Sequence, residues 1–332
     1  MSQSRLGSKV AELFAAARAG DRGALARLLS FVERGGEQSR ELARLSYPLA
    51  GSAYAIGFTG APGSGKSTLT SAVLGDIRRR LESAVAVLAI DPSSPVTGGA
   101  ILGDRVRMQE HALDEGVFIR SMATRGHLGG LAAAVPEAVR LLDATRWPLV
   151  IVETVGVGQV EIEVAGTCDT VVVVVNPGWG DAVQANKAGL LEVADVLVIN
   201  KADRPGVNET ARDLRLMIQL SAGLEWTPPI IKTVASTGEG VTELWEAIAS
   251  HRAYLEQHGA LDERRAERAR KEAVRIARGR LETALDVAVA SFIDDGMLAE
   301  LEDKRIDPDE AADRLVAEVA GSLRANLGPA AR

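Results

Sequence analysis

Cysteine is almost missing from this chain: Cys168 stands alone among 332 residues. A disulfide framework is therefore excluded, and the unpaired thiol fits a reducing cytosol. Histidine is nearly as scarce, with His111, His127, His251 and His258 scattered at spacings that suit no metal site. Aromatic residues make up only 4%, too few for the stacking platforms that grip single-stranded nucleic acid. An excess of positive charge is lacking as well. The net charge is −7, which argues against a duplex-binding face, so no nucleic-acid partner is expected. An anionic nucleotide stays compatible with that balance, because backbone amides supply local positive potential. No apolar run approaches the roughly 18 residues of a membrane helix; the longest, Val171–Val175, has the length of a strand. The N-terminus has no apolar segment of the secretory type. It is amphipathic, with Glu12 and Asp21 among its arginines and serines, and reads as an ordinary helix rather than an organelle leader.

What is present falls into three zones. Residues 1–50 are expected to be helical. Val10, Leu13, Phe14 and Ala17 share one face, and Leu25, Leu28, Leu29 and Val32 another, with Gly35–Gly36 as a break. Residues 51–250 alternate short apolar runs with amphipathic stretches. The runs are Tyr54–Thr59, Ala84–Ile90, Val117–Arg120, Leu149–Glu153, Thr170–Val175, Val196–Ile199 and Ile230–Val234; Ser67–Arg80, Leu131–Ala144 and Asp181–Val193 are among the helical stretches between them. That alternation predicts an α/β fold with a mostly parallel sheet covered on both faces. Residues 251–332 form a charged helical arm, read as one long helix over 251–292 and a second over 296–325 broken near Asp307–Pro308. Periodicity alone fits equally an arm packed on a second copy and a cap on the same domain.

The decisive motif is Gly60-Ala61-Pro62-Gly63-Ser64-Gly65-Lys66-Ser67-Thr68, which matches G-x-x-x-x-G-K-[ST] between a strand and a helix. Its glycines let successive N–H groups turn inward as an anion nest at a helix N-terminus. Lys66 would reach the outer phosphates and Ser67 would place its hydroxyl on Mg²⁺. Asn200-Lys201-Ala202-Asp203 follows a strand-like run. The Asp203 carboxylate can accept from both N1–H and the 2-amino group of guanine, whereas adenine would oppose it with a lone pair. Lys201 can lay its stem along the base. Together with the phosphate loop, N-K-x-D favours GTP over ATP. The loop Ala235–Gly240, with Ser236, Thr237 and Gly238, stands where small residues approach the guanine oxygen.

Asp91 and Glu153 end two apolar runs and are candidate Mg²⁺ ligands with Ser67, since Mg²⁺ takes hard oxygen donors. Asp104 reads equally as a ligand or a surface charge. The Gly- and Pro-rich stretch from Asp91 to Arg105 reads as a loop that a γ-phosphate orders. In Glu153-Thr154-Val155-Gly156, Gly156 could donate its N–H to the γ-phosphate. Val157 stands where Ras-like enzymes carry the glutamine that orients water, so slow intrinsic hydrolysis is expected unless Asp104, Gln159 or a partner supplies the group.

These motifs, with AVLAIDPSSPVTGGAILGDRVRM, FIRSMATRGHLGGLA and VIVETVGVGQVEIEV, resemble the MeaB/ArgK family of P-loop GTPases over about residues 10–255. The resemblance implies a GTPase chaperone that gates cofactor loading of an adenosylcobalamin-dependent acyl-CoA mutase of the methylmalonyl-CoA mutase type and protects it. It also implies a cytoplasmic homodimer with helical extensions. Lys66, Asp91, Asp104 and Glu153 fall on the family's catalytic, metal and switch positions, and Asp203 on its guanine reader. Asp181, Gln184 and Lys187 match a segment that answers to nucleotide and mutase. His127 lies in a family motif whose chemistry the residues do not explain. Some members carry an older label, kinase for lysine, arginine and ornithine transport, but no segment supplies the base and acceptor pocket a kinase needs. A metallochaperone of the nickel-insertion type would need His- or Cys-rich tracts, which this chain lacks.

Overall fold

The protein is described by a computed structural model over residues 3–91, 109–111, 113–123, 128–154, 166–178, 193–220, 225–294 and 296–327. These divide into two compact units, Met1–Arg265 and Ala266–Arg332.

The first unit is built on seven parallel strands: β1 (Tyr54–Gly60), β2 (Val85–Asp91), β3 (Val117–Ala123), β4 (Leu149–Thr154), β5 (Thr170–Val175), β6 (Val196–Asn200) and β7 (Ile230–Thr233). Their order across the sheet is β3-β2-β4-β1-β5-β6-β7, and every pairing is parallel. The strands read as continuous apolar runs because both faces are covered. The period of two still shows in what each residue packs against. Tyr54, Ile56 and Phe58 of β1 and Val172 and Val174 of β5 join one core with Leu69, Val73 and Ile77. Ala55 packs in the opposite core with Leu25, Leu28, Leu141 and Leu142, and Val171, Val173 and Val175 pack with Ala211 and Leu214.

The helices follow from the same pattern. α1 (Gln3–Arg18), α2 (Arg22–Arg34) and α3 (Glu37–Ser46) occupy the N-terminal zone. Asp21 caps α2 by accepting from the Gly23 and Ala24 N–H groups, and Gly35 closes it at φ +68°. Then come α4 (Lys66–Leu81), α5 (Leu128–Ala144), α6 (Val207–Leu220) and α7 (Val241–Gln257). The helix read over 181–193 lies outside the described residues except for Val193.

The stretch read as one helix from 251 to 292 is divided. α7 ends at Gln257 and α8 (Ala260–Asp294) begins after Gly259, whose φ of +69° breaks the helical path. In the second unit α8 continues, followed by α9 (Met297–Glu302) and α10 (Pro308–Leu327). The break at Asp307–Pro308 is a helix start: Pro308 opens α10, and Asp307 accepts from the Glu310 N–H at 2.8 Å. Met297, Ile306 and Ala311 form its small apolar cluster. Val274, Ile276, Leu281, Leu285 and Val287 of α8 are exposed. No helix among the described residues is long and apolar enough to cross a membrane.

Candidate functional site

In an open parallel sheet, loops at the carboxyl ends of the strands converge where the strand order reverses. Here that point is β1, which lies between β4 and β5 although β2 follows it in sequence. The loop after β1 runs from Gly60 to Gly65, and α4 starts at Lys66. Two of its glycines are sterically required. Gly60 has φ +141°, and a Cβ there would lie 2.0 Å from the Val174 carbonyl oxygen of β5. Gly65 has φ +89°, and a Cβ there would meet Asn200 Nδ2 at 2.5 Å. Gly63 is left-handed too, at φ +72°. Ala61 is buried, whereas Pro62, Gly63 and Thr68 are exposed. Lys66 is 7% exposed, and its ammonium donates to the Gly60 and Ala61 carbonyls at 2.7 and 3.0 Å. Ser64 is fully buried, and its hydroxyl has no hydrogen-bond partner among the described residues.

Ser67, in the first turn of α4, donates to Glu153 Oε1 at 2.6 Å. Glu153, near the end of β4, is 1% exposed. The adjoining Thr154 hydroxyl bonds Thr59 Oγ1 at 3.0 Å and the Phe58 carbonyl at 3.3 Å, which fixes the end of β4 against β1. Asp91 is the last residue of β2, the strand on the other side of β4. A hydroxyl and a buried carboxylate side by side are the hard-oxygen chemistry of an Mg²⁺ site. Asp104, His127, Gly156, Val157, Gln159, Asp181, Gln184 and Lys187 lie outside the described residues.

At the end of β6, Asn200 is 2% exposed and ties three loops together. Its Nδ2 donates to the Ser64 carbonyl at 2.8 Å, and its Oδ1 accepts from Thr233 Oγ1 and from the Ala235 N–H, each at 3.1 Å. Lys201 adopts φ +59°, a left-handed conformation unusual for a residue with a side chain, and donates from Nζ to the Gly63 carbonyl at 2.6 Å. The Ala202 N–H to Thr233 carbonyl bond, at 3.0 Å, holds that turn. Asp203 follows, exposed. In the third loop Ser236, Thr237 and Gly238 are exposed. An isolated bridge between Val234 and Glu239 closes this loop. Gly240 is required at its end, since a Cβ there would meet the Lys232 carbonyl oxygen at 2.0 Å. The phosphate loop, the N-K-x-D turn and the third loop thus form one hydrogen-bonded rim.

This chain matches the family model described as methylmalonyl Co-A mutase-associated GTPase MeaB over residues 25–290. The chain belongs to the MeaB family. A Pyrococcus abyssi protein named only as a candidate GTPase is 47% identical over 314 residues, which is 93% of this chain and 97% of that protein. The GTPase ArgK of Escherichia coli is 41% identical over 265 residues, 76% of this chain and 79% of that one. A solved structure named as an LAO/AO transport system kinase superposes with a TM-score of 0.65 at 28% identity, covering 96% of this chain and 99% of that one. The MeaB-family chain is accordingly a P-loop GTPase that binds guanine nucleotide.

Sequence reasoning missed the tethers. Asn200 was legible as part of a motif, but its role as the strut under Ser64 needs the fold. Two arginines in the charged run of α8 were not singled out. Arg265 forms an ion pair with the buried Asp169 at 2.8 Å and donates to the Gly51 and Ala53 carbonyls. Arg264 pairs with Asp195 at 3.0 Å. Asp169 also accepts from the Ala55 N–H, and Asp195 from Val171 N–H, so both carboxylates brace the amino ends of the central strands, opposite the nucleotide rim. Tyr54 lies in the same layer. Burial pushes its phenol up to about 12, against the lowering effect of its bond to Thr170.

Proposed function

We propose that this protein is a GTP-hydrolysing chaperone that gates cofactor loading of an adenosylcobalamin-dependent acyl-CoA mutase and protects that enzyme. The observation that carries the reading is the rim itself. One buried asparagine joins the phosphate loop to the turn bearing Asp203, so occupancy by phosphate and recognition of the base are mechanically linked. The family's printed description names methylmalonyl-CoA mutase. A mouse relative, 33% identical over 270 residues, is named as the mitochondrial homologue of methylmalonic aciduria type A.

Within the site, amides of residues 61–67 would receive the phosphates and Lys66 would balance their charge. Asp203 would accept from the guanine edge, with the Lys201 stem along the base, Ser236, Thr237 and Gly238 beside its oxygen, and Gly156 at the γ-phosphate. Ser67 and Glu153, with Asp91 and Asp104, would hold Mg²⁺, which neutralises charge on the outer phosphates when bound. Hydrolysis matters to the mutase only if the GTP and GDP forms bind it with different affinity. The arm of residues 251–332, with its exposed apolar side chains, would support a homodimer, and the site of action would be the cytoplasm.

The test is association of the full chain with a purified adenosylcobalamin-dependent mutase in the presence of GDP or a non-hydrolysable GTP analogue. A difference of at least about fivefold in affinity between the two nucleotides is expected, the lower end of ordinary allosteric coupling. Equal affinity, or none with either, would overturn the chaperone reading and leave the GTPase untouched. The kinase label on the structural relative makes the opposite demand, transfer of label from ATP to a protein acceptor.

A further inference from the structure

A cavity of about 240 Å³ opens at the edge of the sheet opposite the nucleotide rim, between the α1–α2 turn and the residues leading into β2 and β4. Its walls include Arg18, Arg22 and Arg146, with the Trp147 indole and one carboxylate, Asp21. Three guanidinium charges against one carboxylate is an unusual local balance in a chain whose net charge is −7. Asp21 can offset only one of those charges. It caps α2 by accepting from Gly23 and Ala24 at 2.8 and 3.0 Å. None of the three arginines forms an ion pair among the described residues. Arg22 is braced against the Val117 carbonyl and stacks over the Phe118 ring at 5.8 Å. Arg18 donates from Nε to the Ala144 carbonyl at 3.2 Å, a single bond from a group with five donors.

Arg146 adds an independent observation. It follows α5 at φ +73°, and the next residue, Trp147, donates its N–H back to the Leu142 carbonyl at 3.1 Å. This is the left-handed position of a helix C-terminal turn, which glycine ordinarily fills. An arginine there costs on the order of 1 kcal/mol of backbone strain relative to glycine, yet its side chain is exposed and makes no bond among the described residues that would offset that cost.

We propose that this cavity is a second ligand site, separate from the nucleotide rim, which takes a small oxyanion carrying two or more phosphate or carboxylate charges. Guanidinium groups bind such oxygens in pairs with matched geometry. The volume lies below the roughly 300–1,000 Å³ of pockets for drug-sized ligands, which limits the occupant to a compact anion. Arg18 and Arg146 grip it, and Arg22 contributes charge from a fixed position.

The experiment is calorimetric titration of the full chain with inorganic pyrophosphate and, separately, with citrate. It is run in the wild type, Lys66→Ala, Arg18→Gln and Arg146→Gly, with the thermal midpoint of each measured alongside. Binding is expected to persist in Lys66→Ala, which disables the phosphate loop, and to weaken about tenfold in each arginine variant. Arg146→Gly is expected to melt no lower than wild type, because glycine suits the left-handed turn; its weaker binding is then not unfolding. Preference for pyrophosphate identifies a phosphate ligand, and preference for citrate a carboxylate. The proposal fails if binding vanishes in Lys66→Ala. It fails equally if binding is unchanged in both arginine variants, or if neither anion binds up to about 10 mM, where millimolar affinity would register.

Discussion

Replacing Asn200 by alanine removes three hydrogen bonds at once. The Ser64 carbonyl loses the Nδ2 donor at 2.8 Å, and Thr233 Oγ1 and the Ala235 N–H lose their acceptor at 3.1 Å. Ser64 and Thr233 are both fully buried, so water cannot take the place of the amide at either. A buried group left without its partner costs about 1–3 kcal/mol. Ala235 is only half-buried, and its N–H regains water at little cost. Two such groups give about 2–6 kcal/mol, a large part of the roughly 5–15 kcal/mol that holds a domain folded. Urea unfolding of wild type and variant, at equal slope, reads the difference. GDP affinity is expected to fall at least about tenfold in the folded variant, because the turn at Gly63–Ser64 loses its tie to the base-reading loop. Lys201→Ala is the comparison. It removes only an exposed bond to the Gly63 carbonyl, and surface changes of that kind stay within about 0.5 kcal/mol. If Asn200→Ala costs less than about 0.5 kcal/mol, or less than Lys201→Ala, the tether reasoning is wrong.

Asp203→Asn is expected to leave stability unchanged, since the side chain is exposed, while guanine affinity drops about 10- to 100-fold through loss of a charged acceptor. Xanthine nucleotides should gain in compensation, because the amide donates to their 2-oxo group; competition binding with GDP and XDP reads both. Gly65→Ala forces a methyl to within 2.5 Å of Asn200 Nδ2 in a left-handed turn, so nucleotide binding should be lost with the sheet intact by circular dichroism. Arg265→Ala takes the ion-pair partner from the Asp169 carboxylate, which is 3% exposed. It should cost about 2 kcal/mol in chemical denaturation, less than the roughly 3–5 of a fully buried pair because the guanidinium is a quarter exposed.

Much of the fold could be read from the chain because parallel strands are apolar over their whole length. Thr170–Val175 matches its expected bounds, and the other six strands agree within one to three residues at an end. The phosphate loop was legible because its glycines answer local demands of the backbone: Gly60 meets the Val174 carbonyl, and Gly63 and Gly65 adopt left-handed conformations. The divided helix at Gly259 was not. A single glycine in a charged helical run is compatible with continuation, and only the observed φ of +69° decides it. The strut at Asn200 and the clamp of Arg265 on Asp169 were hidden for a different reason. Their partners lie 136 and 96 positions away in sequence, and no periodicity connects them. The cavity at Arg18 and Arg146 joins the end of α1 to the end of α5 and has no local signature at all.

The most direct measurement is calorimetry of the wild-type chain with GDP and with ADP, each in the presence of Mg²⁺. GDP is expected to bind one to one, and ADP at least about a hundredfold more weakly, the equivalent of losing two charge-assisted bonds at Asp203. Equal affinities for the two purines, or heat from neither, would contradict the assignment of the rim as a guanine-nucleotide site.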